Sequence, residues 1–281
     1  MGRFKVDDNN RLLLLKIRGC ALLLTKLHHL LSAEVKRMGS LHFQFSWACF
    51  IAVLYWQNSL AESLRCVVHD ESTLYSALDN ISCAEISIVT MINVTENVLV
   101  TRPLTLFGDA IDAALVQINP NKNNLYIRDV IGGVHVFNLR ISAIHAQAAV
   151  VVANASNVLI DSVEVEGSSS IFAVFIAGRD IPAGIPTLEN YESRIEMDTN
   201  NTFCNSLVHS SWEGDSLSFS LQYRGHLRNN TVVDGGKIAF YMNAECTCVN
   251  NTVLDSISQG IFLSSPSADN VLVNNTILNA K

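Results

Sequence analysis

The chain has 281 residues, of which 49% are hydrophobic, and its formal net charge is −7. The charge is unevenly distributed, since residues 1–61 carry a net +5 and residues 62–281 carry a net −12. An acidic main part disfavours nucleic acid and polyanionic substrates as partners, unless calcium bridges the two negative charges.

The basic first part of the chain has the features of a secretory signal. Lys36 and Arg37 precede an apolar stretch at 43–56, and residues 59–61 supply the small-x-small sequence of a signal peptidase site. The apolar stretch is shorter than the ~20 residues that a membrane-spanning helix needs. We therefore predict that residues 1–61 are an N-terminal extension with a cleaved signal peptide, and that the protein is secreted or lies on the cell surface.

Two alternatives concern this first part. The segment 12–31 is a second apolar stretch, but its charged side chains and histidines would be costly in lipid. Met38 begins a compact signal peptide by itself, so residues 1–37 are either an upstream extension or a long basic leader. Membrane contact would then occur only through an uncleaved signal segment.

Near its end the chain repeats one hexamer, at 229–234, 250–255 and 274–279, with starts 21 and 24 residues apart. Each copy is an asparagine pair, then a β-branched run, then a turn residue, which is typical of a short strand that must turn a corner. The segments lack the i, i+3, i+4 apolar spacing of helical repeats. A β-sandwich is the alternative, but it would not repeat one hexamer at such a period.

Looser copies extend this pattern toward the N-terminus. Segments 139–141 and 163–165 lie 24 residues apart and alternate between inward and outward positions. A copy at 204–209 predicts one asparagine ladder at a corner, made of Asn205, Asn230, Asn251 and Asn275. The aliphatic residues expected to fill the interior include Val163, Val165, Val232, Val253 and Ile277.

On these rungs, and on an entry region at 72–78, 85–89 and 96–108, the chain resembles the pectin-lyase-like superfamily. The resemblance covers about residues 66–281, and the rungs are similar to those of chondroitinase- and alginate-lyase-like proteins. It implies an all-β fold, a right-handed parallel β-helix of about seven coils with an N-terminal capping helix. That superfamily includes lyases, hydrolases, epimerases and adhesins, so the resemblance does not fix a function.

The resemblance also implies the domain organisation. Residues 62–95 would form the cap and the first strand, and residues 96–281 the β-helix. Because the chain stops in the middle of a rung at 279–281, we expect it to be truncated, with an uncapped end that aggregates or dimerises.

Secretion would explain the cysteines. Cys66 and Cys83 flank the implied capping helix, and a disulfide between them would stabilise that end by about 3 kcal/mol. Cys204 would pair with Cys246 or with Cys248, leaving one thiol buried or without its partner.

Glycosylation is the second feature expected of a secreted chain. The sequons at 229, 250 and 274 follow from the rung pattern alone, so the better candidates are Asn80, Asn93, Asn154 and Asn200.

Residues for binding are expected in two irregular stretches, at 179–200 and 210–225. Aromatic rings stack on sugar rings, and arginine forks bind hydroxyls, although surface loops have the same ordinary composition. The predicted substrate-binding residues are Trp212, Tyr223, Arg224 and Arg228.

A catalytic alternative uses residues near the repeats. His209, Asp234, Asp255 and Asn279 fall at matched turn positions, where Asp234 and Asp255 would bind calcium or simply form a turn ladder. A uronate lyase also needs a cation and a base, for which Lys237, His209, Arg224 and Arg228 form the candidate cluster. Tyr241 would be the proton donor.

The motifs of the superfamily's known hydrolases and lyases are missing, since no polygalacturonase, pectate-lyase or pectin-methylesterase signature is present. We therefore favour a secreted or cell-surface module that binds glycans or proteins, with a polysaccharide or glycoprotein as its ligand, and that requires no cofactor. The alternatives are a calcium-dependent polysaccharide lyase or related glycoside hydrolase, and a structural domain of a larger surface protein.

Overall fold

The computed structural model describes residues 64–143, 148–167, 172–177, 198–210, 214–264 and 267–280. The chain divides into two units, Met1–Glu62 and Ser63–Lys281, and all the described residues belong to the second. The predicted signal peptide lies in the first unit, outside the described residues. No helix within the described ranges is long and apolar enough to cross a membrane.

The second unit is a parallel β-solenoid of about eight turns, whose strands form three long sheets. Strands are numbered in chain order. Sheet A has nine strands: β1 (Leu64–Val68), β2 (Cys83–Ile88), β5 (Leu104–Gly108), β8 (Val134–Phe137), β11 (Val158–Asp161), β15 (Thr202–Cys204), β19 (His226–Arg228), β22 (Thr247–Val249) and β25 (Val271–Val273).

Sheet B has eight strands: β3 (Met91–Val94), β6 (Ala114–Gln117), β9 (Arg140–Ser142), β12 (Glu164–Gly167), β16 (Leu207–Ser210), β20 (Thr231–Val233), β23 (Thr252–Leu254) and β26 (Thr276–Leu278). Sheet C has seven strands: β4 (Val98–Val100), β7 (Leu125–Arg128), β10 (Val150–Ala153), β13 (Phe172–Ala177), β17 (Asp215–Ser220), β21 (Lys237–Tyr241) and β24 (Ile261–Leu263). A two-stranded sheet pairs β14 (Asp198–Thr199) with β18 (Gln222–Tyr223).

The register confirms the predicted parallel β-solenoid. Val232 lies opposite Val253, and Val253 lies opposite Ile277, all in parallel strands of sheet B. Val232 and Val253 are fully buried, whereas Ile277, on the last described coil, is 45% exposed. Seven coils were predicted, and sheet C has seven strands, one for each predicted coil. The strands before residue 96 form the additional turn of the solenoid.

One helix, α1 (Glu71–Asp79), connects β1 to β2. The Asp70 side chain accepts a hydrogen bond from the Thr73 backbone at its start, and Leu74, Ala77 and Leu78 are buried against the core. The Cys66–Cys83 disulfide predicted across this helix is present, with Cα atoms 5.7 Å apart.

The asparagine ladder exists, but its predicted membership is wrong by one residue. Asn230 donates through Nδ2 to Asn251 Oδ1 (2.9 Å), and Asn251 donates likewise to Asn275 (3.0 Å). The residue that precedes them in this buried ladder is Ser206, whose backbone N–H donates to Asn230 Oδ1.

Asn205 belongs instead to an exposed ladder one residue earlier at the same corner. Its Nδ2 donates to Asp161, and its Oδ1 accepts from Asn229. Asn205 and Asn229 both have a left-handed backbone, with φ of 51° and 56°, which asparagine tolerates well. The corner thus needs two asparagines for two different reasons, turning the chain and sealing the core.

The expected second disulfide is absent, because Cys204, Cys246 and Cys248 are all free and buried. Cys248 is a core residue of sheet A, while Cys204 occupies an outward position of that sheet, so the two thiols point away from each other. Burial raises the pKa of Cys204 to about 11. It raises those of Cys246 and Cys248 to about 12.

Candidate functional site

Two of the predicted catalytic residues, Lys237 and Tyr241, meet at Asp215. Asp215 lies opposite Lys237 on the neighbouring strand, and their charged atoms are 3.3 Å apart. The Asp215 side chain is 6% exposed and that of Lys237 is 18% exposed. Burial, and then a hydrogen bond to Asp215, raise the pKa of Tyr241 far above its usual range. The Tyr241 hydroxyl therefore stays protonated at neutral pH and donates a hydrogen bond to Asp215.

Phe262 completes this cluster. Its ring lies 5.1 Å from the Lys237 Nζ and 5.7 Å from the Tyr241 ring. The ammonium and the hydroxyl both have Asp215 as their partner, so the cluster is satisfied within the protein.

The other members of the predicted catalytic cluster lie elsewhere. His209 is on sheet B, opposite Glu166, and Arg228 is on sheet A, whereas Lys237 is on sheet C. The three side chains thus belong to three different sheets, and the structure does not bring them together in one site. The spacing of these residues along the chain could not reveal this, because one coil passes through all three sheets.

The predicted binding residues are only partly brought together. Arg224 stacks on the ring of Tyr223, with its guanidinium 4.7 Å from the ring centre, and pairs with Glu245 at 3.0 Å. Arg224 therefore covers one face of the ring that was expected to stack on a sugar. Trp212 lies outside the described residues.

The structure treats the two stretches that were predicted to be irregular differently: it describes most of one and little of the other. Within 210–225, β17 and β18 are regular strands, so the prediction of an irregular stretch is wrong there. The alternating Ser-Leu-Ser-Phe-Ser sequence at 216–220 is typical of a strand, and the prediction overlooked it. Most of 179–200 lies outside the described residues.

Asp234 and Asp255 occupy successive turn positions, with φ of 55° and 53°. Asp255 Oδ1 accepts from Asn279 Nδ2 at 2.9 Å, as the turn-ladder alternative expects. His209 is not part of this row, because it aligns with Val233 on the strand. No cluster of three or more His, Cys, Asp or Glu side chains that could hold a metal ion occurs among the described residues.

The four glycosylation candidates are exposed. The side-chain amides of two of them already donate within turns, Asn154 to Asp129 (2.7 Å) and Asn200 to Asn157 (3.2 Å). Asn80 accepts from the Ser82 backbone through Oδ1, and Asn93 lies on the outer side of sheet B.

A different site arises where one corner is longer than its neighbours. The connection from sheet A to sheet B is five residues long at 109–113. The corresponding connections after β8 and after β11 are each two residues long. Gly108 allows this loop to pack closely, since a side chain there would meet the Asn138 carbonyl oxygen within 2.0 Å and the Ala113 Cβ within 2.9 Å.

The longer loop forms one wall of a depression of about 440 Å³, here named the corner depression. This volume lies in the range of small-ligand sites. Its apolar wall includes Ile111, which is fully exposed, and Met91, which is 57% exposed. The polar groups of its rim come from Asp112, Asn138, Arg140, Ser162 and Glu164.

The arginine of the corner depression is held in place. Arg140 Nη2 lies 2.9 Å from Glu166 Oε2, and its Nε lies 4.0 Å from Glu164 Oε1. The Ser142 hydroxyl also donates to Glu166 at 3.2 Å. These contacts fix the guanidinium beside the depression, and half of its side chain stays exposed.

None of the depression's residues was predicted as a binding residue. The feature that could have revealed the depression is the length of the corner after Gly108. That length is known only once the strands on both sides have been located. The polar residues come from coils that are 24 or more residues apart, so no local motif joins them.

No protein-family model matches the sequence, and no curated protein matches it. A search of solved structures finds similarity to the crystal structure of an alginate lyase from Paenibacillus sp. str. FPU-7, with a TM-score of 0.36 and 11% identity. The alignment covers 75% of this chain and 99% of that chain.

Proposed function

We propose that this protein is an extracellular β-solenoid that binds glycans on its outer surface and performs no chemistry. The observation that carries the proposal is the corner depression, which combines an exposed apolar wall with a rim of polar side chains. A sugar ring presents the matching surfaces, an apolar C–H face and hydroxyl groups at its edge.

The energetics of the depression fit this role. Covering Ile111 and Met91 with a sugar face removes apolar surface from water, at about 25 cal/mol per Å². Arg140 is already oriented by Glu166, so a hydroxyl bound to it would cost little additional side-chain entropy. The binding surface is then largely formed before the ligand arrives.

The disulfide supports an extracellular location. Disulfides persist in oxidising compartments and are rare in the cytosol, and Cys66–Cys83 closes a separation of 17 residues. The three free thiols are buried, where a raised pKa makes them poor nucleophiles.

The test is a glycan-binding screen of the purified full chain, followed by titration of the best ligand against two matched variants. Ile111→Ser removes the apolar wall and should weaken binding at least fivefold, about 1 kcal/mol. Ile131→Ser changes another strongly exposed isoleucine, which does not line the depression, and should bind as the unmodified protein does. Equal binding by all three proteins would place the ligand elsewhere.

The lyase alternative is favoured by one observation, the meeting of Lys237 and Tyr241 at Asp215. Its test is the appearance of unsaturated product from uronate polymers, with and without calcium, and its loss in Tyr241→Phe. An active protein that keeps full activity in this variant would remove Tyr241 as the proton donor. If no glycan is bound or cleaved, a structural role in a larger surface protein remains.

A further inference from the structure

The charge of the corner depression points to the class of sugar that it takes. Its rim contains one cation, Arg140, and two carboxylates, Asp112 and Glu164. Arg140 is already paired with Glu166, a third carboxylate just beyond the rim. The four groups together carry a net charge of −2 at neutral pH.

The two rim carboxylates differ in what they already contact. Glu164 lies 4.0 Å from Arg140, so part of its charge is compensated. Asp112 is exposed on the loop and makes no ion pair or side-chain hydrogen bond with the described part of the chain. Its carboxylate is therefore available to a group of the ligand.

Asp112 and the apolar wall line the same depression. Ile111 precedes Asp112 in the loop and is fully exposed. A ligand that covers Ile111 with a ring face would bring a substituent of that ring close to Asp112. A positive substituent would be attracted there, and a carboxylate would be repelled.

We infer, on the basis of the proposed function, that the corner depression selects amino sugars with a free, protonated amine over N-acetylated sugars and uronates. Acetylation removes the positive charge, and a uronate adds a negative charge to a rim that is already negative. Sugar selection then follows from Asp112, while Ile111 supplies the affinity that all the sugars share.

The experiment compares three soluble oligosaccharides of equal length by titration into the full chain: a glucosamine oligomer, its N-acetylated form and a uronate oligomer. The glucosamine oligomer should bind most tightly below the pKa of its amine, and its advantage should disappear above that pKa. Added salt should weaken its binding, because the attraction at an exposed rim is screened.

Two variants locate the effect. Asp112→Asn should reduce the preference for the glucosamine oligomer about threefold to fivefold, the range of an exposed ion pair. Asp79→Asn, an exposed aspartate at the end of α1, should leave the preference unchanged. An unchanged preference in Asp112→Asn would contradict the inference.

The outcomes separate this inference from the proposed function. Tighter binding of the N-acetylated or uronate oligomer, still weakened by Ile111→Ser, would overturn the amino-sugar preference and leave glycan binding at the depression in place. Absence of binding for all three oligomers would overturn the amino-sugar preference alone, whereas binding that ignores Ile111→Ser would overturn both.

Discussion

The side chain of Asn230 donates to the side-chain oxygen of Asn251 over 2.9 Å, and that same oxygen accepts the backbone N–H of Asn230 at 3.0 Å. Both residues are buried, with exposures of 1% and 0%. One oxygen thus satisfies two buried donors of the coil before it, which makes the inner ladder sensitive to the loss of any member.

We expect Asn251→Leu to lower the free energy of unfolding by about 1–3 kcal/mol for each buried group that it leaves unpaired. Asn205→Gly is the matched control, because glycine keeps the left-handed backbone and the change removes only exposed contacts. Denaturant unfolding of both variants measures the difference. Equal stability of the two variants would show that the buried amides contribute no more to the free energy of unfolding than the exposed ones do.

We expect Lys237→Ala to destabilise the protein by about 3 kcal/mol, because it leaves the Asp215 carboxylate buried without its cation. The control is Lys122→Ala, since the Lys122–Glu96 pair is exposed and should contribute less than about 1 kcal/mol. Thermal and denaturant unfolding report both losses. If Lys237→Ala unfolds like the control, the cluster is not structural, and an activity role for Lys237 gains support.

Cys204, Cys246 and Cys248, the free cysteines of the described residues, should not react with a thiol reagent in the folded protein. Burial raises the pKa of Cys204 to about 11 and that of Cys246 to about 12, so the thiolate is scarce at neutral pH. Reagent added in denaturant should then titrate all three. Rapid modification of the native protein would show that the solenoid around these cysteines opens readily.

Stability should fall as the pH decreases below about 6.5, the pKa of histidine in an unfolded chain. Burial lowers the pKa of His135 and of His226 in the folded state, so protonation favours the unfolded chain. Their stabilising contribution is complete above the unfolded pKa and is lost as the pH falls through the folded values.

The measurement is the melting temperature between neutral and mildly acidic pH. The double variant His135→Gln, His226→Gln should show a flatter dependence, while His69→Gln, at an exposed position, should not. A dependence that is unchanged in the double variant would assign it to other groups.

The parallel solenoid was predictable from the repeats alone. The hexamers at 229–234, 250–255 and 274–279 combine asparagines typical of a corner with aliphatic residues typical of a core, at a nearly constant spacing. Parallel stacking requires that the same kinds of residue recur in each coil. The Cys66–Cys83 disulfide was also predictable, because both cysteines lie beside one short helix. The one-residue error at Asn205 arose because two asparagines stand next to each other in the repeat, while 204–209 has only one.

Which side chains come into contact was not predictable, because it depends on how the coils fold and stack. Lys237 and His209 are 28 residues apart, close to the length of one coil, yet they belong to different sheets. Their spacing could not show this, because the sequence does not reveal where each coil divides into its three strands. Asp215 meets Lys237 and Tyr241 through strand register, and Asp112 reaches the rim near Arg140 because one corner is three residues longer than its neighbours. These contacts depend on register and corner length, which are set by packing the whole coil rather than by any local pattern.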